Sequence, residues 1–503
     1  MRKLPLQGKE QSMKNKPMLN AYPDSVGSRL SDMVSLLKRD EMKDVFGSFY
    51  ILPSLYHSDL DRGFSVIDYD INEDLADRQD LEEIKKLGMD VKLDFILNHA
   101  SAQSPQFKDL VDRGEESEYK DFFINWNEFW KGYGSMTEEG YIQPEESCLK
   151  KMFFRKPGLP ILMVQFPDKK MVPYWNTFYQ EVQYPTYLGQ MDLNVKSEKV
   201  WDFYKDTIEK ISGYGAAIVR LDAFAYASKE PGEKNFLNEP GTWELLEKIR
   251  ELAEPFHMLL LPEIHAAYEE KIYEKLCNKG YMTYDFFLPG LVIDAVENKR
   301  SRFLSAWAKE IIEKDLKVVN MLGCHDGIPL LDLKGMLPQE DIENLIDLIV
   351  ARGGFVKNLH GEKNMYYQVN AAYFSALGES EEKMLLARAI QMFMPGKPQV
   401  WYLDLLEGKN DYEAVKRAGD GGHKEINRTN LTREEAEQAL SKDSVKKQLE
   451  LIRFRSTFRA FEEGAEISVK EWEGVLWIRW ENQGYFAELT ADFARGSYEV
   501  DHN

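Results

Sequence analysis

Three apolar stretches, AAIVRLDAFAY, HMLLLPEIH and VVNMLGCHDG in chain order, each end in charged or ionisable side chains. In the first, Arg220 and Asp222 stand two residues apart, so on a strand they point to the same side. Burying both is costly unless they are paired and hydrogen-bonded. One such strand end also reads as a structural ion pair. Three in series read as a carboxylate active site built from strand ends, because the second carries Glu263 and His265 and the third His325 and Asp326. Between them lie helical patterns. Val200, Tyr204, Ile208 and Ile211 recur at helical spacing, with Ser197 as a cap and Gly213 and Gly215 as a stop. A second helix begins at Thr242, with Leu245, Ile249 and Leu252 on one face. The same rhythm appears upstream in SFYILPSLY, LADRQDLEEIKKLG and MDVKLDFILNH. Helices alternating with buried strands imply parallel βα units. A (β/α)8 barrel brings the ends of several strands to one face, here Asp94 to His99, Asp222, Glu263 and Asp326.

A barrel takes about 250 residues, so a chain of 503 has room for insertions. The rhythm breaks in a stretch rich in Tyr, Trp, Lys, Glu and Pro, and again before YYQVN. The predicted division is barrel 1–99, an inserted domain 100–190 after the third strand, barrel 191–328, a loop-rich insertion 329–370 after the seventh strand, and barrel 371–458. EISVKEW, GVLWIRW and GYFAELT then read as strands of a small C-terminal β domain, 459–503.

A net charge of -21 argues against nucleic acid and anionic membranes as partners. An anionic substrate would need a local positive pocket against that field. Cys148, Cys277 and Cys324 form no metal-binding spacing, and a reduced cytoplasmic protein accounts for them. The opening MRKLPLQGKEQSMKNKP is basic but has no apolar core, unlike a secretory signal. No apolar run reaches the roughly 18 residues of a membrane span.

Acids gathered in a cleft repel one another and are partly desolvated, so their pKa values separate. One stays ionised as nucleophile while another holds a proton, the retaining glycoside mechanism, with carboxyls roughly 5–5.5 Å apart. Arg220 is expected to keep Asp222 ionised. The apolar run before Glu263 suits a raised pKa and an acid role. Asp326 is left to bind sugar hydroxyls and stabilise a cation-like transition state, with His99 and His325 as hydroxyl donors.

DFILNH, VRLDAFAY, LPEIH and GCHDGIP resemble, in order, the four motif blocks of the α-amylase clan. NAYPDSVGSRL, DRGFSVIDY, RKPGLP, QMDLNV, YYQVNAAYFSALG, PGKPQVWYLDLLEGKND and EINRTN resemble its sucrose phosphorylase branch, from about Pro17 to Phe458. The resemblance implies a glucosyl-transferring phosphorylase with Asp222 as nucleophile, Glu263 as general acid/base and Asp326 as transition-state stabiliser. It implies that Asp61, Phe64, His99, Gln190, Arg220, His325 and Arg428 line a glucose subsite. Tyr226, Tyr367 and Gln368 match residues on the acceptor and phosphate side. Lys156 falls near where relatives place a phosphate-binding arginine, whose fork a lysine lacks. No metal and no cofactor are implied. The partners are inorganic phosphate and a small α-glucoside, for a monomer or homodimer.

Relatives carry an Asn-Leu-Asp-Leu-like run before YYQVN whose aspartate helps bind fructose. Here Lys363, Asn364, Met365 and Tyr366 stand there, with Met365 in place of the aspartate. Sucrose is the first expectation for the glucoside. Sucrose 6′-phosphate, glucosylglycerol and glucosylglycerate are the alternatives, and Lys357, His360 and Lys363 offer cations for an anionic acceptor. A hydrolase or transglucosylase, or a non-catalytic binding member of the clan, are the competing functions. Retention of all three carboxylates disfavours the last.

Overall fold

The computed structural model describes residues 16–155, 158–178, 180–183, 186–359, 365–419 and 422–503. Eight strands form one parallel sheet: β1 (Met18–Ala21), β2 (Ser48–Ile51), β3 (Asp90–Ile96), β4 (Ala216–Asp222), β5 (Leu259–Pro262), β6 (Thr283–Asp285), β7 (Val318–Met321) and β8 (Lys397–Trp401). Their order across the sheet is β5-β4-β3-β2-β1-β8-β7-β6, and the two edge strands, β5 and β6, lie against each other. This is the (β/α)8 barrel. Strands covered on both faces read as near-continuous apolar runs, and six of the seven residues of β3 are buried.

The connecting helices follow their sequence signals. The helix after β2, α1 (Arg78–Lys86), starts in a capping box: Asp77 accepts from the Asp80 backbone and Asp80 from the Asp77 backbone. The next, α2 (Glu198–Gly213), buries Val200, Tyr204, Ile208 and Ile211 beneath β4. Ser197 sits at its N-cap, but its side chain makes no capping bond. Gly215, with φ +85°, turns the chain into β4.

Between β3 and α2, strand His99–Ser101 pairs antiparallel with Thr186–Asp192. The chain between them packs a separate core in which Trp126 lies 5.6 Å from Trp130 and 4.8 Å from Trp175. After β7, Ile328–Pro329 pairs with Met365–Asn370, which pairs with Phe355–Leu359. This stretch reads as irregular from the sequence, yet it also holds helix α3 (Gln339–Ala351). Ile342, Leu345, Ile346 and Ile349 are the helical spacing that signals it.

The C-terminal sheet has four antiparallel strands: β9 (Glu466–Trp472), β10 (Val475–Asn482), β11 (Tyr485–Asp492) and β12 (Ser497–His502). Only β12 lacks a counterpart among the expected strands. Leu476, Ile478 and Trp480 of β10 and Ala487 and Leu489 of β11 form the buried face of this sheet. The Trp480 indole donates to the Phe393 carbonyl, and the buried Arg455 guanidinium lies 4.1 Å over the same ring. Among the described residues no helix is long and apolar enough to cross a membrane.

Candidate active site

Barrel register brings the charges together. Arg220 on β4 stands opposite Asp94 on β3. Its Nη1 donates to Asp94 Oδ1 and to Asp222 Oδ1, each at 2.7 Å, and its Nη2 lies 3.8 Å from Glu263 Oε1. From below, the Tyr50 hydroxyl contacts both Asp94 oxygens. Glu263 follows directly on β5, and Asp326 lies five residues beyond β7. Immediately after Asp222, Ala223 takes a left-handed conformation, φ 50°, and its N–H donates to Glu263 Oε2 at 3.3 Å. Strain of this kind persists only where surrounding contacts hold it, often at functional sites.

The electrostatics reverse the expected order of Asp222 and Glu263. Burial, with the charges of Glu263 and Asp94, outweighs Arg220 and pushes the Asp222 carboxyl up to about 7. Arg220 is shared among three carboxylates, Asp94, Asp222 and Glu263, so it is no private counter-ion for Asp222. Burial would also raise Glu263, but the His265 hydrogen bond and Arg220 hold it down to about 2. The group facing Glu263 is a histidine, not the apolar run that precedes it. The pair therefore titrates as a unit that holds one proton below about pH 7.

The residues expected around glucose form the neighbouring wall. Asp61, Arg62 and Gly63 all have positive φ (46°, 49° and 114°). A Cβ on Gly63 would stand 2.2 Å from the Ser54 backbone nitrogen, so only glycine allows this turn. Burial would raise Asp61, but Lys424 and Arg428 outweigh it and lower its pKa. Lys424 Nζ lies 2.6 Å from Asp326 Oδ1 and 3.5 Å from Asp61 Oδ2, and Arg428 Nη1 lies 3.3 Å from Asp61 Oδ1. Burial opposes ionisation of Asp326 as well, yet His325, Lys424 and Arg428 hold it well below the usual carboxylate range. His325 stacks on Phe64 at 4.9 Å, and burial drives it down to about 3, so it is neutral. His99 is also neutral by burial; its Nε2 contacts the Phe64 carbonyl at 2.8 Å and the Gln190 amide at 3.2 Å.

The α-amylase catalytic domain family matches residues 43–326. The chain belongs to the α-amylase family, in its sucrose phosphorylase branch. It is 52% identical to the sucrose 6(F)-phosphate phosphorylase of Ilumatobacter coccineus, over 98% of this chain and 97% of that one. It is 35% identical to the protein of the same name from Thermoanaerobacterium thermosaccharolyticum, over 90% and 89%. A crystal structure of sucrose 6F-phosphate phosphorylase from Thermoanaerobacter thermosaccharolyticum superposes with a TM-score of 0.89, at 33% identity over 98% of this chain and 96% of that chain.

Tyr226, expected on the acceptor side, packs against Phe236 at 4.8 Å and Phe178 at 5.3 Å, with the Arg155 guanidinium 5.7 Å from its ring. Gln368 is buried opposite Pro329, close in sequence to Asp326. Lys156, His360, Lys363 and Asn364 lie outside the described residues. Met365 and Tyr367 lie on a described strand, but their side chains, like that of Lys357, fall outside the description.

Three contributors carry no role in the motif reading: Lys424, Asp94 and Asp332. Lys424 stands four residues before Arg428 in HKEINR, so the branch motif marks its neighbourhood. Asp94 lies inside the buried strand β3, with Phe95 and Ile96 after it, and its partner appears only through strand register. Asp332 has no sequence signal at all; the fold alone brings it to His265.

Among the described residues, Cys324, His325 and Asp326 bring donor atoms within 4.8 Å of one another. They fit a metal poorly, since burial pushes the Cys324 thiol up to about 12 and it donates to the Gly327 carbonyl. A second buried cation lies where the inserted domain meets the barrel. The buried Lys229 ammonium donates to Asn98 Oδ1 at 3.0 Å and to the Tyr226 carbonyl, and pairs with Asp192 Oδ2 at 2.8 Å. It ties the ends of β3, β4 and the inserted domain together. Lys229→Met leaves Asp192 without its cation and should cost about 3–5 kcal/mol. Urea denaturation reads this as a lowered midpoint; an unchanged midpoint contradicts it.

Proposed function

We propose that this protein catalyses phosphorolysis of an α-glucoside by two displacements through a glucosyl-Asp222 intermediate. The carboxyl pair Asp222 and Glu263, sharing Arg220 and one proton at adjacent strand ends, carries the reading. In the first step an Asp222 oxygen attacks the anomeric carbon. The glycosidic bond breaks, and its electron pair stays on the leaving oxygen, which takes the proton of Glu263. In the second step a phosphate oxygen attacks the same carbon, the bond to Asp222 breaks, and Glu263 accepts the phosphate proton. Two inversions give α-glucose 1-phosphate with retention. Asp326, backed by Lys424 and Arg428, stabilises positive charge developing on the sugar and binds its hydroxyls with Asp61, His99 and Arg428.

One proton on the pair is the reactive state whichever carboxyl holds it at rest. Above pH 7 that proton is lost. With the natural glucoside, the rate of glucosylation should therefore fall about tenfold per pH unit there. A rate that stays flat to about pH 9 contradicts a shared catalytic proton.

The glucoside is sucrose phosphorylated on the fructose 6-hydroxyl, the alternative to unmodified sucrose at the outset. Two relatives named for that activity support this choice. So does Met365, which puts no negative charge where other branch members carry a fructose-binding aspartate. Arg155 beside Tyr226 adds a cation on the same side. A charge-assisted hydrogen bond contributes roughly 1.5–3 kcal/mol, or about one to two decades in affinity. Phosphate-dependent release of α-glucose 1-phosphate should have a kcat/KM at least about tenfold higher with sucrose 6F-phosphate than with sucrose, glucosylglycerol or glucosylglycerate. Preference for unmodified sucrose overturns the assignment of the acceptor and leaves the two-step mechanism standing.

A further inference from the structure

We propose that Asp332 is a positioning residue for Glu263 and acts through His265. Asp332 is 3% exposed and sits in a single helical turn, Leu331–Leu333, of the segment after β7. Its two carboxylate oxygens lie 3.3 and 3.4 Å from His265 Nδ1. The other ring nitrogen, Nε2, lies 3.3 Å from Glu263 Oε1. The imidazole lies against Phe286 with ring centroids 3.8 Å apart and planes 21° from parallel, so it has little freedom to turn. A carboxylate at Nδ1 requires a proton there, which leaves Nε2 directed at Glu263. The chain Asp332, His265, Glu263 thus crosses from one barrel loop to another and ends on the group that moves the proton.

Glu263 becomes negative as it gives its proton to the leaving oxygen. A charged imidazole at Oε1 stabilises that developing charge, and Asp332 at Nδ1 behind it favours the charged imidazole. Burial alone would lower His265, but Asp332 and Glu263 outweigh burial and raise it to about 9. Among the described residues, the charged groups facing His265 are Glu263 on its own strand end and Asp332 from the loop after β7, and Arg220 and Asp326 act in turn on Glu263. Phe286, from the segment after β6, has no charge.

The inference rests on Glu263 being the acid/base. It predicts a dependence on leaving group that a merely structural aspartate would not produce. Asp332→Asn should lower kcat/KM for sucrose 6F-phosphate by about 10- to 100-fold, part of the 10²–10⁴ that a general acid supplies. The loss with α-glucosyl fluoride, whose leaving group needs little protonation, should be at least about tenfold smaller. The ¹⁵N titration midpoint of the His265 ring should fall from about 9 toward its ordinary value of about 6.5. In a His265→Gln background the same substitution should have no further effect, since the link is already cut. Equal losses with both donors, no loss with either, an unmoved His265 midpoint, or full additivity with His265→Gln would each overturn it. Glu263→Gln, measured alongside, separates the two claims. If it shows the dependence on leaving group and Asp332→Asn does not, only the role of Asp332 fails; if Glu263→Gln itself lacks it, the acid/base assignment fails.

Discussion

Asp222→Asn should abolish turnover while the fold persists. The amide matches the carboxylate in size and can still accept from Arg220, and Asp94 remains 2.7 Å from Arg220 to balance its charge. No buried cation is therefore stranded, and thermal unfolding should move little. The amide oxygen is a poor nucleophile toward the anomeric carbon, and nothing else stands at that position on β4. Removing the nucleophile of a covalent mechanism costs on the order of 10⁴–10⁶ in kcat. Retention of even a tenth of the rate by a folded variant would remove Asp222 from the role.

Glu263→Gln should split the reaction into its halves. With sucrose 6F-phosphate, glucosylation loses its acid and should slow by about 10²–10⁴. With α-glucosyl fluoride the first step should stay within about tenfold of the wild type, because fluoride leaves without a full proton. The second step still lacks its base, so glucosyl-enzyme should build up and a burst of fluoride should precede a slow steady state. The substitution also removes the charge that raises His265, whose midpoint should drop with it. Equal slowing with both donors in the first step would count against Glu263 as the acid.

The barrel was legible because its strands are buried on both faces and its helices show their period. Asp222, Glu263 and Asp326 were legible because each ends an apolar run. Their ionisation order was not. Strand register lets Asp94, 126 positions from Arg220 in the chain, share its guanidinium. Asp332, 67 positions from His265, changes the surroundings of Glu263 in the same way. Local sequence shows the apolar residues before Glu263 and cannot show the histidine's partner. Helix α3 is obscured for a different reason: Gly, Lys and Asn around it outweigh four apolar positions at helical spacing. Lys229 is one lysine in a polar loop, KEPGEKNFLNEPG, and only the closed fold shows that it is buried against three oxygens.

The central claim is a glucosyl group carried on Asp222 and handed to phosphate. Glu263→Gln incubated with α-glucosyl fluoride, digested and read by mass spectrometry, tests it directly. One hexosyl group should appear on the peptide containing Asp222, and added inorganic phosphate should discharge it as α-glucose 1-phosphate. No adduct, an adduct on another residue, or discharge as the β-anomer would contradict it.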